Sequence, residues 1–217
     1  MNFEHARFNM VEQQLRPWGG AGPRVRHLLM TVRREDYVPP AMRAFAFADI
    51  EIPLPGGQTM FKPAIEGRIL QTIGTLHVNS VLEIGTGSGY FAALLAANAD
   101  HVHTVEIDPE LARLARDNLV RNGVTNVTVE EGDASQGWYS QAPYDVIVVS
   151  GGLPELPEGL LAQLKPGGRL FAFTGTPPAM KACIVSRNDK KTHQSHSLFE
   201  TVVPMLRHIP QVPAFNF

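Results

Sequence analysis

The apolar positions of the chain change rhythm near residue 77. Before that point the spacing is helical. Phe8, Val11 and Leu15 predict a helix over 4–15, broken by Arg16-Pro17-Trp18-Gly19-Gly20. Val25, Leu28, Leu29 and Val32 predict a second helix after Pro23, closed by Tyr37-Val38-Pro39-Pro40. Residues 41–58 hold Pro53, Pro55, Gly56 and Gly57 without a period and read as a surface loop. A third helix is predicted over 64–76, with Pro63 in its first turn, where the missing N–H costs nothing.

From residue 80 short apolar runs alternate with helical periods. Strands are predicted over 80–84, 101–107, 127–131, 144–150 and 169–173. Between them lie helices over 90–98, 109–122 (Leu111, Leu114, Ala115 and Leu119 on one side, Gly123 as cap) and 157–164. Lys165-Pro166-Gly167-Gly168 ends the last of these. Such alternation implies parallel strands, right-handed crossovers and a sheet covered on both faces. Residues 180–187 and 197–203 break the pattern and read as an antiparallel hairpin. Residues 204–217, with Pro210 and Pro213, read as an extended tail. The expected fold is α/β and Rossmann-like, a mostly parallel sheet with C-terminal antiparallel strands. One domain spans 1–217: N-terminal helices and a loop over 1–76, a binding core over 77–175, and hairpin and tail over 176–217.

Composition narrows the function. The 217 residues are 44% hydrophobic and 18% charged, enough for a packed core and too apolar for a disordered chain. Net charge is −2, and no Lys/Arg run is longer than a pair such as Lys190–Lys191, which gives no electrostatic support for a nucleic-acid partner. One cysteine, Cys183, forms no internal disulfide and fits a reducing compartment. No Cys/His cluster has metal spacing. His101 and His103 share one face of a strand and read as strand residues, so no metal is expected. Met1-Asn2-Phe3-Glu4-His5 lacks the form of a signal peptide, and no apolar run approaches the ~20 residues of a membrane span. A cytoplasmic location with no membrane contact is expected; the oligomeric state is open.

The chemistry concentrates at Val81-Leu82-Glu83-Ile84-Gly85-Thr86-Gly87-Ser88-Gly89-Tyr90. A buried strand runs into glycines at alternate positions and then into a helix, so a ligand can touch the backbone at the carboxyl edge of the sheet. A dinucleotide site asks for G-x-G-x-x-G; here Gly89 comes one position early, and no phosphate-binding lysine follows. Glu83 beside the turn repels a phosphate but suits the cationic amino group of S-adenosylmethionine. Glu106 and Ile107 end the next strand, 17 residues after Gly89. A carboxylate there accepts from both ribose hydroxyls. Glu131-Gly132-Asp133-Ala134 ends the third strand, where an acid can accept from the adenine amino group and a backbone N–H can reach a ring nitrogen. The cofactor-binding set is thus Glu83, Gly85, Thr86, Gly87, Ser88, Gly89, Glu106, Ile107, Gly132, Asp133 and Ala134. The cofactor is S-adenosyl-L-methionine and the fold that of its Rossmann-like methyltransferases.

Further runs make a resemblance specific. Arg34-Glu35-Asp36-Tyr37-Val38-Pro39, Ile52-Pro53-Leu54, Gly57-Gln58-Thr59, the glycine turn, Gly132-Asp133 and Pro143-Tyr144-Asp145-Val146-Ile147 resemble the protein-L-isoaspartate O-methyltransferase family. The resemblance runs from the second helix to about Gly175. It implies carboxyl methylation of isoaspartyl residues in damaged proteins, after which the ester closes to a succinimide. It also implies an active loop of pattern G-Q-T-I-S-x-P. The chain departs there, with Gly57-Gln58-Thr59-Met60-Phe61-Lys62-Pro63. Phe61 stands where the family carries a serine hydroxyl. Either Thr59 supplies a substitute hydroxyl, or the acceptor is different, or methyl transfer is lost. Thr59 is the catalytic candidate. The competing readings are a small-molecule methyltransferase with a changed acceptor and a non-catalytic S-adenosylmethionine-binding module.

Overall fold

The computed structural model describes residues 2–18, 21–74, 77–188 and 192–209. Gly19, Gly20, Lys190, Lys191, Pro210 and Pro213, used above, lie outside them.

The N-terminal part opens with α1 (Phe3–Asn9), whose N-cap Asn2 accepts from the His5 N–H. The predicted first helix is not uniform. After α1 the chain continues as a wider π-helical turn, Met10–Leu15, and a 3-10 turn, Arg16–Trp18. This rotation buries Met10, Val11 and Leu15 together. Helix α2 (Pro23–Thr31) buries Val25, Leu28 and Leu29 as the spacing requires. The region expected to be loop holds more structure: a 3-10 helix over Pro40–Phe45, then a two-stranded ribbon of β1 (Ile52–Pro53) and β2 (Thr59–Met60). The two strands pair antiparallel around a turn at Pro55–Gly57. Prolines hid this ribbon from a period-based reading. Helix α3 (Pro63–Ile73) follows, with Pro63 in its first turn.

The sheet then assembles from β3 (Val78–Ile84), β4 (Ala99–Glu106), β5 (Val127–Glu131), β6 (Tyr144–Leu153), β7 (Leu164–Thr176), β8 (Ala179–Arg187) and β9 (His193–Glu200). Their order is β5-β4-β3-β6-β7-β8-β9. The five strands from β5 to β7 are parallel, while β8 runs antiparallel to both β7 and β9. Helices α4 (Tyr90–Ala96), α5 (Pro109–Arg121) and α6 (Glu158–Ala162) form the crossovers. Val81, Leu82 and Ile84 are all buried, as both faces of a central parallel strand should be. One apolar cluster packs β3, β6 and β7 against α3 and the N-terminal helices; the other packs the opposite face beneath α6.

Two expectations at the C-terminal end need correction. The second hairpin strand occupies His193–Glu200, not 197–203, because Lys181 pairs with Glu200 and Arg187 with His193. Residues 204–209 do not trail away as a tail. The Gly152 N–H donates to the Pro204 carbonyl (2.8 Å) and the Leu206 N–H to the Gly152 carbonyl (2.9 Å), laying the segment across the end of β6. Among the described residues no helix is long and apolar enough to cross a membrane.

Candidate functional site

The chain leaves β3 in one direction to reach β4 and enters β6 on the other side. The carboxyl ends of β3 and β6 therefore flank a crevice, where open α/β sheets bind ligands. The glycine turn fills its rim. Gly85 has φ of +93°, a conformation that L side chains rarely adopt, and a Cβ there would press on the Ser150 carbonyl at 3.3 Å. Gly89 has φ of +82°, and a Cβ would meet Ala115 at 3.2 Å, so it lets α4 approach α5.

A cleft of about 700 Å3, counting its open mouth, lies in front of this turn. Thr59, Gly85, Gly87, Glu106, Ile107, Gly132, Asp133 and Ala134 all line it. The loops after β3, β4 and β5 thus meet at one sheet edge. Glu83, Thr86 and Ser88 line a smaller chamber beside the cleft. Gly89 lines neither space and packs the two helices.

Glu106 is buried at the end of β4. Its Oε2 accepts from the Gly87 N–H (2.9 Å) and its Oε1 from the Asp108 N–H (3.1 Å). The carboxylate pins the glycine turn, and each oxygen keeps a lone pair for a further donor. Asp133 closes an Asx turn by accepting from the Ser135 N–H (2.9 Å). The Gly132 N–H donates to the Glu106 carbonyl (3.0 Å), tying the second and third loops.

Glu83 is fully buried, and each of its oxygens accepts one hydrogen bond within the fold. Thr104 Oγ1 donates to Oε2 (2.7 Å) and Ser150 Oγ to Oε1 (3.2 Å). Thr86 Oγ1 joins Thr104 Oγ1 at 2.6 Å. Burial pushes the Glu83 carboxyl up to about 8; the two hydroxyls pull against this, and the charge of Glu106 adds to it. Burial also lifts Glu66 to about 7, against the pull of Arg34. The folded chain therefore holds both protons more tightly than the unfolded chain, whose carboxyls titrate at about 4.5. This contribution is complete below that value and is lost as pH rises through 7 and 8. Melting temperature should fall between pH 5 and pH 8, and Glu83→Gln should cut that fall by about half, since one of two such groups is removed. Equal falls in the two proteins would refute the assignment.

The sequence reading missed part of the lining: Gln58, Leu111, Ser135, Ser150, Gly151 and residues 204–207. Ser150-Gly151-Gly152 at a strand end was a usable signal. The 204–207 segment carried none, since nothing local reports its return to β6. Its Arg207 donates to Asp108 Oδ2 (2.9 Å) and to the Gly56 carbonyl (2.7 Å), joining the active loop to the β4 loop.

Phe61 lines both spaces. It is buried, with its ring 5.4 Å from that of Phe173. Thr59 also lines both spaces, and its buried hydroxyl has no hydrogen-bond partner.

The family model for protein-L-isoaspartate(D-aspartate) O-methyltransferase matches residues 7–209. The chain belongs to that family. This methyltransferase is 38% identical over 206 residues to a protein-L-isoaspartate O-methyltransferase of Koribacter versatilis, covering 95% of this chain and 90% of that one. It is 40% identical over 198 residues to protein-L-isoaspartate O-methyltransferase 2 of Pelobacter propionicus, covering 91% and 88%. A solved protein-L-isoaspartate O-methyltransferase superposes with a TM-score of 0.80 at 25% identity; the match covers 92% of this chain and 65% of that protein, just under two thirds of its length. A Plasmodium falciparum structure named as a putative protein-L-isoaspartate O-methyltransferase, in complex with S-adenosyl-L-homocysteine, also superposes with a TM-score of 0.80. At 19% identity, over 95% of this chain and 99% of that one, it speaks to the fold. The family is one of S-adenosylmethionine-dependent O-methyltransferases, so the methyl donor follows from membership. The cleft suits it: carboxylates at Glu106 and Asp133, glycine backbone at 85 and 87, and apolar Ile107, Leu111 and Ala134 between.

Proposed function

We propose that this methyltransferase esterifies the free carboxylate of isoaspartyl residues in aged proteins, with Thr59 in place of the missing serine. The observation that carries the proposal is the buried, unpartnered Thr59 hydroxyl where the cofactor cleft meets Phe61. S-adenosylmethionine, when bound, supplies an electrophilic methyl on a sulfonium. Glu106 would grip the ribose hydroxyls with its remaining lone pairs. Asp133 and the Ala134 backbone would meet the adenine, with Ile107 and Leu111 against its faces. The turn at Gly85 and Gly87 would follow the chain beyond the sulfur.

The acceptor needs little activation, because a carboxylate is ionised at neutral pH and no general base is required. The enzyme's work is to strip water from that carboxylate and hold it in line. Phe61, backed by the buried ring of Phe173, forms an apolar wall that excludes water, and the Thr59 O–H donates to one carboxylate oxygen and aims the other. The lone, buried Cys183 thiol suits the reducing cytoplasm in which such repair would run.

Methyl transfer to an isoaspartyl peptide, with none to its aspartyl isomer, is the expected result in a radiolabelled-methyl assay. Thr59→Val should lower kcat/KM on that peptide by about 100-fold, the usual loss of one oriented donor. It should leave the Kd for S-adenosylhomocysteine within about twofold, because the hydroxyl serves the acceptor. Silence on both peptides alongside tight cofactor binding would instead favour a changed acceptor or a binding module.

A further inference from the structure

The loop after β5 carries Asp133 and the Ala134 backbone, the groups proposed for the adenine. A Cβ on Gly132 at its start would lie 2.8 Å from both Cη2 and Cζ3 of Trp138. The far edge of the indole therefore fills the space in which a side chain at 132 would stand. Gly132, Asp133 and Ala134 line the cleft, while Trp138 lines neither the cleft nor the chamber beside it. The ring thus backs the loop without facing the ligand.

The indole is not free to yield. The Trp138 N–H donates to Gln163 Oε1 (2.8 Å), and the Tyr144 hydroxyl donates to the Trp138 carbonyl (2.8 Å). Gln163 and Tyr144 are both buried. Gln163 is held in turn, since its Nε2 donates to the Gly159 carbonyl (2.9 Å). The ring packs against the apolar cluster beneath α6. Its own Nε1–H has no partner, so shape alone joins it to Gly132.

The loop has few other restraints on its position. The Gly132 N–H ties it to the Glu106 carbonyl of β4 (3.0 Å). The Ser135 N–H to Asp133 (2.9 Å) and the Gly137 N–H to the Ala134 carbonyl (2.9 Å) close turns within it. These bonds shape the loop but leave it hinged at one point, and the indole blocks movement away from the cleft.

We propose that Trp138 is a positioning residue for recognition of the base: its ring, fixed to β6 and to the end of α6, sets how closely Asp133 and the Ala134 N–H approach the adenine edge. The inference rests on the placement of the adenine against Asp133.

The test compares S-adenosylhomocysteine with its inosine counterpart by calorimetry. In that analogue an oxygen replaces the amino group of the base, so the edge facing Asp133 accepts where it had donated. The parent should bind it at least about tenfold more weakly, the usual loss of a hydrogen bond to a charged group. Trp138→Phe removes the far edge of the indole and no hydrogen bond. It should narrow the ratio by at least about threefold by weakening S-adenosylhomocysteine alone, because a loop free to shift loses its alignment. Gly132→Ala should weaken S-adenosylhomocysteine by about tenfold in the parent, but by no more than about twofold in Trp138→Phe, where the space is open. A ring that only fills the core would lower melting temperature, leave the ratio unchanged and give additive losses; an unchanged ratio or additive losses overturn the proposal. If Trp138→Phe does not fold, Tyr144→Phe decides the matter. It frees the Trp138 carbonyl, leaves the indole in place and should narrow the ratio by about twofold, and an unchanged ratio there is equally fatal. Equal binding of both ligands by the parent would instead bring down the adenine placement, and this inference with it.

Discussion

Glu106→Ala should raise the Kd for S-adenosylhomocysteine by at least about 100-fold. Two charge-assisted hydrogen bonds to ribose hydroxyls would be lost, each contributing about 1.5–3 kcal/mol. The same substitution frees the Gly87 and Asp108 N–H groups, so the glycine turn also loses its anchor. Glu106→Gln separates the two contributions. An amide oxygen can still accept, but without charge, and the expected loss is smaller, about tenfold. Calorimetry on both variants checks the order. A Kd within about twofold of the parent for Glu106→Ala would remove the ribose assignment. The residue is buried but lies at a sheet edge, so the fold itself should survive, with little change in melting temperature.

The largest effect on stability is expected at Arg34, which is fully buried and tied to four residues distant in the chain. Its guanidinium donates to the Ala46 and Phe61 carbonyls, pairs with Glu66 on α3, and lies over the Tyr90 ring at 5.2 Å from the centroid. Tyr90 in turn packs against Tyr37 with ring centroids 5.4 Å apart. Arg34→Met fills similar space but orphans a buried carboxyl and two carbonyls. Breaking a buried pair from one side costs about 3–5 kcal/mol. At about 2–4 °C per kcal/mol for a chain of this size, the melting temperature should fall on the order of 10 °C. The fall should be greater at pH 8 than at pH 5, where Glu66 is protonated and its lost partner matters less. Adding Glu66→Leu should recover part of it, because the pair is then removed whole. A shift below about 2 °C at both pH values would show that the network holds little.

The arrangement explains how a chain can replace a loop serine by phenylalanine without losing the loop. The backbone of Phe61 is held by Arg34 and its ring by Phe173, so the loop is fixed by groups other than its own hydroxyl. The same fixation leaves Thr59, two residues earlier in β2, between cleft and chamber.

Much of this was legible in the residues alone. The strands from 80 to 173, the crossover helices and the glycine turn follow from apolar runs, helical periods and glycine spacing, all of which are local properties of the chain. The loops bearing Glu106 and Asp133 were found in the same way, since a parallel sheet must deliver every strand end to one edge. Three matters escaped local reading. The ribbon at 52–60 is formed by pairing across prolines and shows no period. Residues 204–207 reach the cleft through hydrogen bonds to Gly152, more than 50 positions earlier. Glu66 reads in sequence as one more charge on a helix, and only packing turns it inward against Arg34 with one oxygen free. Sequence determined the sheet, its edge and the family of ligand, because those depend on neighbours along the chain. Tertiary structure decided which acids remain free to bind, because a carboxylate's spare lone pairs depend on donors brought from distant segments.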